Sequence, residues 1–267
     1  MDSTDRRTFL KSIGGTAVAL SVAGCSELTG DGGGSNTLVP GTASGFPPFE
    51  FVNENGELVG FDIDLLSAVV EQTDYELGEW EDLEFGQLTT ALANDRIDVI
   101  AAAMTINEER DQTIDFTNPY YDANQAVLVR EGGEFQPNST DDLADHPIGA
   151  QSGTTGANQM QALVDDGTIS ESQATTYENY VLAIEDLVNG NTDAVIIDTP
   201  VAETFIQDRP VVMAFTIETN EQYGFGVQEN ASEVQSALND GLETVRENGT
   251  YDEIESEWLP ETAGSDN

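Results

Sequence analysis

Thr105 and Arg110 lie five residues apart, just past the small apolar run at residues 99–103, and a polar turn separates them. A guanidinium beyond a strand end, beside a hydroxyl and backbone amides, can grip a small carboxylate through two parallel hydrogen bonds. The same side chain could equally be a surface charge neutralising a neighbouring acid. Basic residues are scarce: of 8 Lys and Arg, Arg6, Arg7 and Lys11 stand at the N-terminus, leaving Arg96, Arg110, Arg130, Arg209 and Arg246 for the rest.

Further segments offer complementary chemistry. The small-residue loop at 151–156, with Gln151, Thr154 and Thr155, runs from a short apolar strand into a helix. Such a loop presents free backbone N–H groups and a positive helix end to an anion, or is simply a tight strand-to-helix turn. Asp198, followed by Thr199 and Pro200, ends the strand at 194–197 and opens another helix. It could cap that helix or receive an ammonium. Phe46, in a stiff Phe-Pro-Pro-Phe loop, and Phe85 offer aromatic faces.

The elements that carry these residues follow from periodicity. Asp62 is expected to cap a helix whose apolar positions Ile63, Leu66, Val69 and Val70 recur at helical spacing. A hairpin turn falls at 53–56, an amphipathic helix at 85–94 and a buried strand at 97–103. Strands at 126–129, 148–150, 194–197 and 223–227 alternate with helices at 157–164, 180–188, 231–247 and 250–258. This alternation predicts an α/β protein with two mostly parallel sheets, with Thr105, Gln151 and Asp198 at strand C-terminal ends, where such folds place ligands.

Composition bounds the setting. A formal net charge of -43 on a chain that is 38% hydrophobic predicts self-repulsion in dilute salt, and hence a working medium of high ionic strength. The near absence of Lys resembles the surfaces of extreme halophiles. Nucleic-acid binding is excluded as a reading, because no basic patch exists to displace counterions. The carboxylates show no EF-hand spacing and no Cys/His cluster, so neither a metal nor a cofactor is expected. His146 precedes a Pro in a loop, with no nucleophile motif beside it, and is expected at the surface.

Residues 1–24 read as a twin-arginine lipoprotein signal: Arg6-Arg7 precedes an apolar stretch at 13–23, too short to span a bilayer as a mature helix. Cys25, the only cysteine, follows a lipoprotein-type cleavage box and is the expected lipidation site, anchoring the protein to the outer face of the cell membrane after export by the twin-arginine pathway. Residues 25–36 read as a flexible tether and 261–267 as an acidic tail.

The segments FPPFEF, NGELVGFDIDL, AAAMTINEERDQTIDFTNPYY, IGAQSGTTG, DAVIIDTPVAETFI and ENGTYDEIESEW, in this order, resemble the polar amino-acid-binding proteins of ABC importers, the solute-binding proteins of family 3. The resemblance spans about residues 38–258 and looks like a haloarchaeal version of the family. It implies a two-lobe, type II periplasmic-binding-protein-like fold with two crossover hinge strands, closing on its ligand. Lobe 1 would be residues 37–119 and 224–260, lobe 2 residues 125–218, and the hinges 120–124 and 219–223. Arg110 would clamp the ligand's α-carboxylate with Thr105, the backbone at Ala103, Thr154 and Thr155. Asp198 would accept the α-ammonium, with Phe46 and Phe85 lying over the side chain.

The resemblance implies a side-chain pocket lined by Ala43, Phe46, Phe85, Gln151 and Ile197, a set without charge. Relatives that take cationic or amide ligands often carry an acid at the position of Ala43, and the glutamine binder a Lys at that of Gln151, so this set leans towards a neutral polar amino acid, with acidic ones next. The partners implied are that amino acid and an ABC transporter permease, with the protein a monomer and not an enzyme. A dehydratase on the same scaffold, using Glu50 or Asp62 as general acid, and a sensor that presents its ligand to a receptor, are the alternatives.

Overall fold

A computed structural model describes residues 36–259. The signal, Cys25, the tether up to residue 35 and the acidic tail lie outside the described residues. Along the chain the strands used below are β1 (Pro40–Thr42), β2 (Glu81–Asp82), β3 (Val99–Ile100), β4 (Ile114–Phe116), β5 (Tyr121–Arg130), β6 (Ile148–Gln151), β7 (Ala174–Tyr177), β8 (Ala194–Asp198), β9 (Val211–Tyr223) and β10 (Gly226–Gln228). The helices are α1 (Phe61–Val70), α2 (Leu88–Ala93), α3 (Thr155–Asp165), α4 (Tyr180–Asn189), α5 (Thr199–Asp208), α6 (Ser232–Glu247) and α7 (Thr250–Trp258).

These elements build a two-lobe α/β fold around two five-stranded sheets, in the orders β2-β1-β3-β10-β4 and β7-β6-β8-β5-β9. The sheets are mixed, not mostly parallel as expected. In each, two pairings are parallel and two antiparallel. The cause is the crossing chain: β10 returns into the first sheet against β3 and β4, and β5 enters the second against β8. The chain passes between the sheets twice, after β4 and after β9. There Tyr121 pairs with Tyr223 and Ala123 with Glu221 in one antiparallel ladder.

Aromatic rings brace this crossing. Phe49 meets Tyr121 and Tyr223 edge-on at 5.3 and 5.4 Å between centroids, Tyr121 stacks on Tyr223 at 5.8 Å, and Tyr120 lies 4.6 Å from Phe225. Each such pair contributes about 0.5–1.5 kcal/mol beyond the area it buries, so the crossing strands leave a rigid platform for the cleft.

Local chemistry sets several boundaries. α1 begins after Gly60 at φ 139°, where a Cβ would stand 2.2 Å from the Phe49 carbonyl oxygen, so only glycine fits. α4 starts where Asn179 accepts a hydrogen bond from the Leu182 N–H at 3.1 Å, and its apolar stripe Tyr180, Ala183, Ile184 and Leu187 is buried. The hairpin turn at 53–56 joins two short strands, with Phe51 opposite Val59.

Other expectations need correction. Asp62 caps nothing: it sits inside α1, fully buried, and its carboxylate accepts from the Ala103 N–H and the Tyr120 hydroxyl. The expected helix at 85–94 divides into a single 3-10 turn at Phe85–Gln87 and α2. The buried run 97–103 pairs as a strand only at Val99–Ile100, because Ala103 turns to a positive φ of 44°. The expected strand at 223–227 divides between the two sheets. His146 is half-buried, with Nδ1 2.9 Å from Asp193 and its ring stacked on Phe135.

Candidate ligand-binding site

The described residues enclose a small cavity between the lobes, lined by Phe46, Glu50, Phe85, Ala103, Thr105, Arg110, Gln151, Thr154, Thr155 and Asp198. Nine of the eleven residues named for the ligand site from the sequence are in this wall. Glu50 is the addition. Ala43 lines a neighbouring opening and Ile197 packs in the core, so neither forms this wall.

From the first lobe, Arg110 opens a 3-10 turn fixed by the Asn107 side chain, which accepts from the Arg110 backbone N–H at 2.9 Å. Its guanidinium donates to the Thr105 carbonyl at 2.6 Å and, across the cleft, to the Gly153 carbonyl at 3.0 Å. It also stands 5.2 Å from the Phe85 ring centroid, within cation–π range. Burial pulls its pKa down, while Asp198, Glu221 and Glu109 hold it up.

The turn from β3 to Thr105 places Ala103 in left-handed backbone, which costs a non-glycine residue roughly 1–2 kcal/mol. The Ala103 N–H donates to the buried Asp62 carboxylate at 2.7 Å, a charge-assisted bond that offsets this cost. The Thr105 hydroxyl donates to Glu221 at 2.7 Å and lies 3.2 Å from the Thr155 hydroxyl of the other lobe.

From the second lobe, Thr154 is the N-cap of α3: its hydroxyl accepts from the Ala157 N–H at 3.2 Å and donates to the Gln151 carbonyl at 2.8 Å. Thr155 opens the helix and lines the cavity with Thr154, so the positive end of α3 lies at its wall. Asp198, at the end of β8, makes no cap bond to α5. Its Oδ1 accepts from Gln125 Nε2 at 2.9 Å and from the Tyr223 hydroxyl at 2.8 Å. Burial first, then Glu221, pushes its pKa up to about 7, against these two hydrogen bonds.

Charge in the site is lopsided. Arg110 is the one basic group of the lining, against the carboxyl groups of Asp198 and Glu50, with Glu221 bonded to Thr105 and to Gln125 at 2.8 Å. Glu50 is 0% exposed, and neither of its carboxyl oxygens has a hydrogen-bond partner among the described residues. Burial, with Asp62, Asp198 and Asp82 nearby, raises its pKa well above the ordinary range. The side-chain pocket therefore holds an ionisable carboxyl group, where a set without one was expected. Sequence reasoning named Glu50 only as a general acid of the alternative enzyme and not as part of the ligand pocket, although its Phe-Pro-Pro-Phe-Glu context was a usable signal. Gln125, Glu221 and Tyr223, which bond to Asp198 or Thr105, were missed, since in so acidic a chain nothing marks a single Glu as buried.

Comparison with known proteins agrees with this architecture. The chain belongs to the bacterial extracellular solute-binding proteins, family 3, whose model matches residues 38–261. It is 32% identical over 231 residues to a putative ABC transporter arginine-binding protein 2 of Escherichia coli K12, covering 84% of this chain and 91% of that protein. It is 31% identical over 224 residues to a probable histidine-binding protein of Neisseria gonorrhoeae, covering 82% and 81%. Among solved structures, an ancestral arginine-binding protein bound to arginine matches with a TM-score of 0.78 at 34% identity, over 84% of this chain and 98% of that one. An ancestral amino acid-binding protein, described as a precursor of cyclohexadienyl dehydratase, matches with a TM-score of 0.76 at 30% identity, over 84% and 96%.

Proposed function

We propose that this protein captures a free polar amino acid outside the cell by closing its lobes, and delivers it to the permease of an ABC transporter. The observation that carries the reading is the pair of opposite charges on one cavity, Arg110 from the first lobe and Asp198 from the second. An amino acid presents a carboxylate and an ammonium on one carbon, so its site needs both signs from separate segments. Arg110, with Thr105, Thr155 and the α3 N-terminus, receives the carboxylate; Asp198 receives the ammonium. Phe46 and Phe85 cover the side chain.

The relatives named for arginine and histidine, together with the surplus of carboxyl groups, favour a basic side chain over a neutral one. In this reading the protein leaves the cell through its twin-arginine signal, is held at the membrane by a lipid on Cys25, works as a monomer, and releases its ligand unchanged. A thermal-shift screen in molar KCl against the free amino acids tests the binding role: a ligand at a hundred times its Kd stabilises by about 2.7 kcal/mol. Fractionation of cells expressing Cys25→Ser tests the anchor, since the variant would appear in the medium and the parent in the membrane.

A dehydratase remains the second reading, favoured by the buried Glu50 carboxyl in the cavity and by the likeness to a dehydratase precursor. Turnover of a dehydratable cyclic acid, with no stabilisation by any amino acid, would establish it instead.

A further inference from the structure

We propose that Glu50 selects a cationic ligand side chain, and that it does so by giving up a proton to solvent when that side chain enters. The proposal rests on the amino-acid-binding reading above and deepens it.

The geometry comes first. Glu50 follows the Phe46–Phe49 loop, and its backbone carbonyl is tied to the Gly45 and Phe46 N–H groups at 3.1 and 3.0 Å, so its position in the wall is fixed. Its side chain is fully buried and faces the cavity, yet both oxygens are without partners among the described residues. A bare carboxylate there would lack the pairing that buried charge requires. The charged and titratable groups around it work in the same direction: Asp62 from α1, Asp82 from the end of β2 and Asp198 from the end of β8 all disfavour a second negative charge. Arg110 lines the same cavity, but its guanidinium is engaged with the Thr105 and Gly153 carbonyls. The empty site therefore holds Glu50 as a neutral acid.

A zwitterion with an uncharged side chain leaves this state unchanged, because Arg110 and Asp198 match its two charges. A guanidinium, ammonium or imidazolium entering beside Glu50 supplies the missing counter-charge. The Glu50 O–H bond then breaks, the proton passes to solvent, and the carboxylate pairs with the cation. The balance is one neutral acid and one cationic ligand going to one ion pair and one solvated proton. Asp198, whose carboxyl is pushed up to about 7, releases its own proton to any amino acid that brings an ammonium. The Glu50 contribution is therefore the difference between a cationic ligand and its neutral isostere.

Isothermal titration of arginine and of citrulline, each in two buffers of different ionisation enthalpy at about pH 6 and in molar KCl, reads that difference. Arginine should release more protons than citrulline, by a number approaching one. In Glu50→Gln the difference should vanish and arginine affinity should fall by about thirtyfold or more, far more than citrulline affinity, whose persistence reports a folded site. Equal proton release by the two ligands, or a difference that survives Glu50→Gln, would overturn the proposal while leaving amino-acid binding standing. If neither ligand nor any other amino acid binds, the binding reading itself falls, and this one with it.

Discussion

The Arg110 guanidinium reaches across the cleft to the Gly153 carbonyl, 3.0 Å away, so the residue proposed to meet the ligand also ties the lobes together. The fork geometry lets separate N–H groups serve Thr105, Gly153 and a bound carboxylate at once. Arg110→Ala removes all of these and should weaken ligand binding by about 2–5 kcal/mol. Arg110→Lys keeps the charge but loses the fork, and should fall in between. Titration calorimetry with the ligand found by screening measures both; unchanged affinity in Arg110→Ala would remove this residue from the site.

Stability should depend on pH through Asp62. Burial pushes its pKa up to about 7, although the Ala103 and Tyr120 hydrogen bonds act to lower it. An unfolded Asp titrates near 3.9, so across the interval up to about 7 the folded protein binds a proton that the unfolded chain has released. The Asp62 contribution is therefore fully present below about pH 4 and declines as pH rises to about 7, at up to about 1.4 kcal/mol per unit. Asp62→Asn keeps a hydrogen-bond acceptor for Ala103 and cannot titrate. Urea unfolding of the ligand-free protein from pH 4 to 8 should show a smaller loss of stability in the variant than in the parent.

Much of this site could be read from residue types, and the rest was hidden for physical reasons. Arg110 was conspicuous because cations are so rare, and Asp198 because an Asp-Thr-Pro sequence after an apolar strand marks a helix start. Nine of the eleven chosen residues share one cavity, while Ala43 and Ile197 fall outside it. Asp62 misled: an acid ahead of helically spaced apolar residues looks like a cap, and only tertiary structure brings Ala103 and Tyr120 to it. β9 was only partly visible because it is largely half-exposed along its length and carries polar residues at 218–222. Glu221 was lost among 51 acidic residues, and Glu50 was named only as an enzyme's acid and not as a pocket residue, since composition says nothing about which few are buried.

Gly156 should matter for folding rather than for ligand chemistry. A Cβ there would sit 2.6 Å from the Ile196 carbonyl oxygen and 2.6 Å from the Tyr180 hydroxyl, where the first turn of α3 packs on β8. Overpacking of this kind costs about 1–3 kcal/mol. Gly241→Ala, which would bring a Cβ 2.5 Å from the Val69 carbonyl oxygen where α6 crosses α1, should cost a similar amount far from the cavity. Thermal unfolding should show both losses. Only Gly156→Ala should also disturb ligand affinity, because it alone displaces the Thr154–Thr155 helix start.

Tyr223 joins the crossing strands to Asp198, the proposed ammonium site. Its hydroxyl donates to Asp198 at 2.8 Å and helps to lower the pKa that burial and Glu221 raise to about 7. Ammonium binding needs the carboxylate, so affinity for any amino acid should fall as pH drops below about 7 and recover above it. Tyr223→Phe deletes the donor while keeping the ring packed between Phe49 and Tyr121. The Asp198 carboxyl then keeps Gln125 as its donor, and its pKa moves further up. The midpoint of the affinity-versus-pH curve should therefore shift to higher pH, and binding at neutral pH should weaken by about 1.5–3 kcal/mol, as for loss of one hydrogen bond to a charged group. An unshifted midpoint, measured by titration across pH 5–8.5, would mean that Tyr223 supports Asp198 by packing alone.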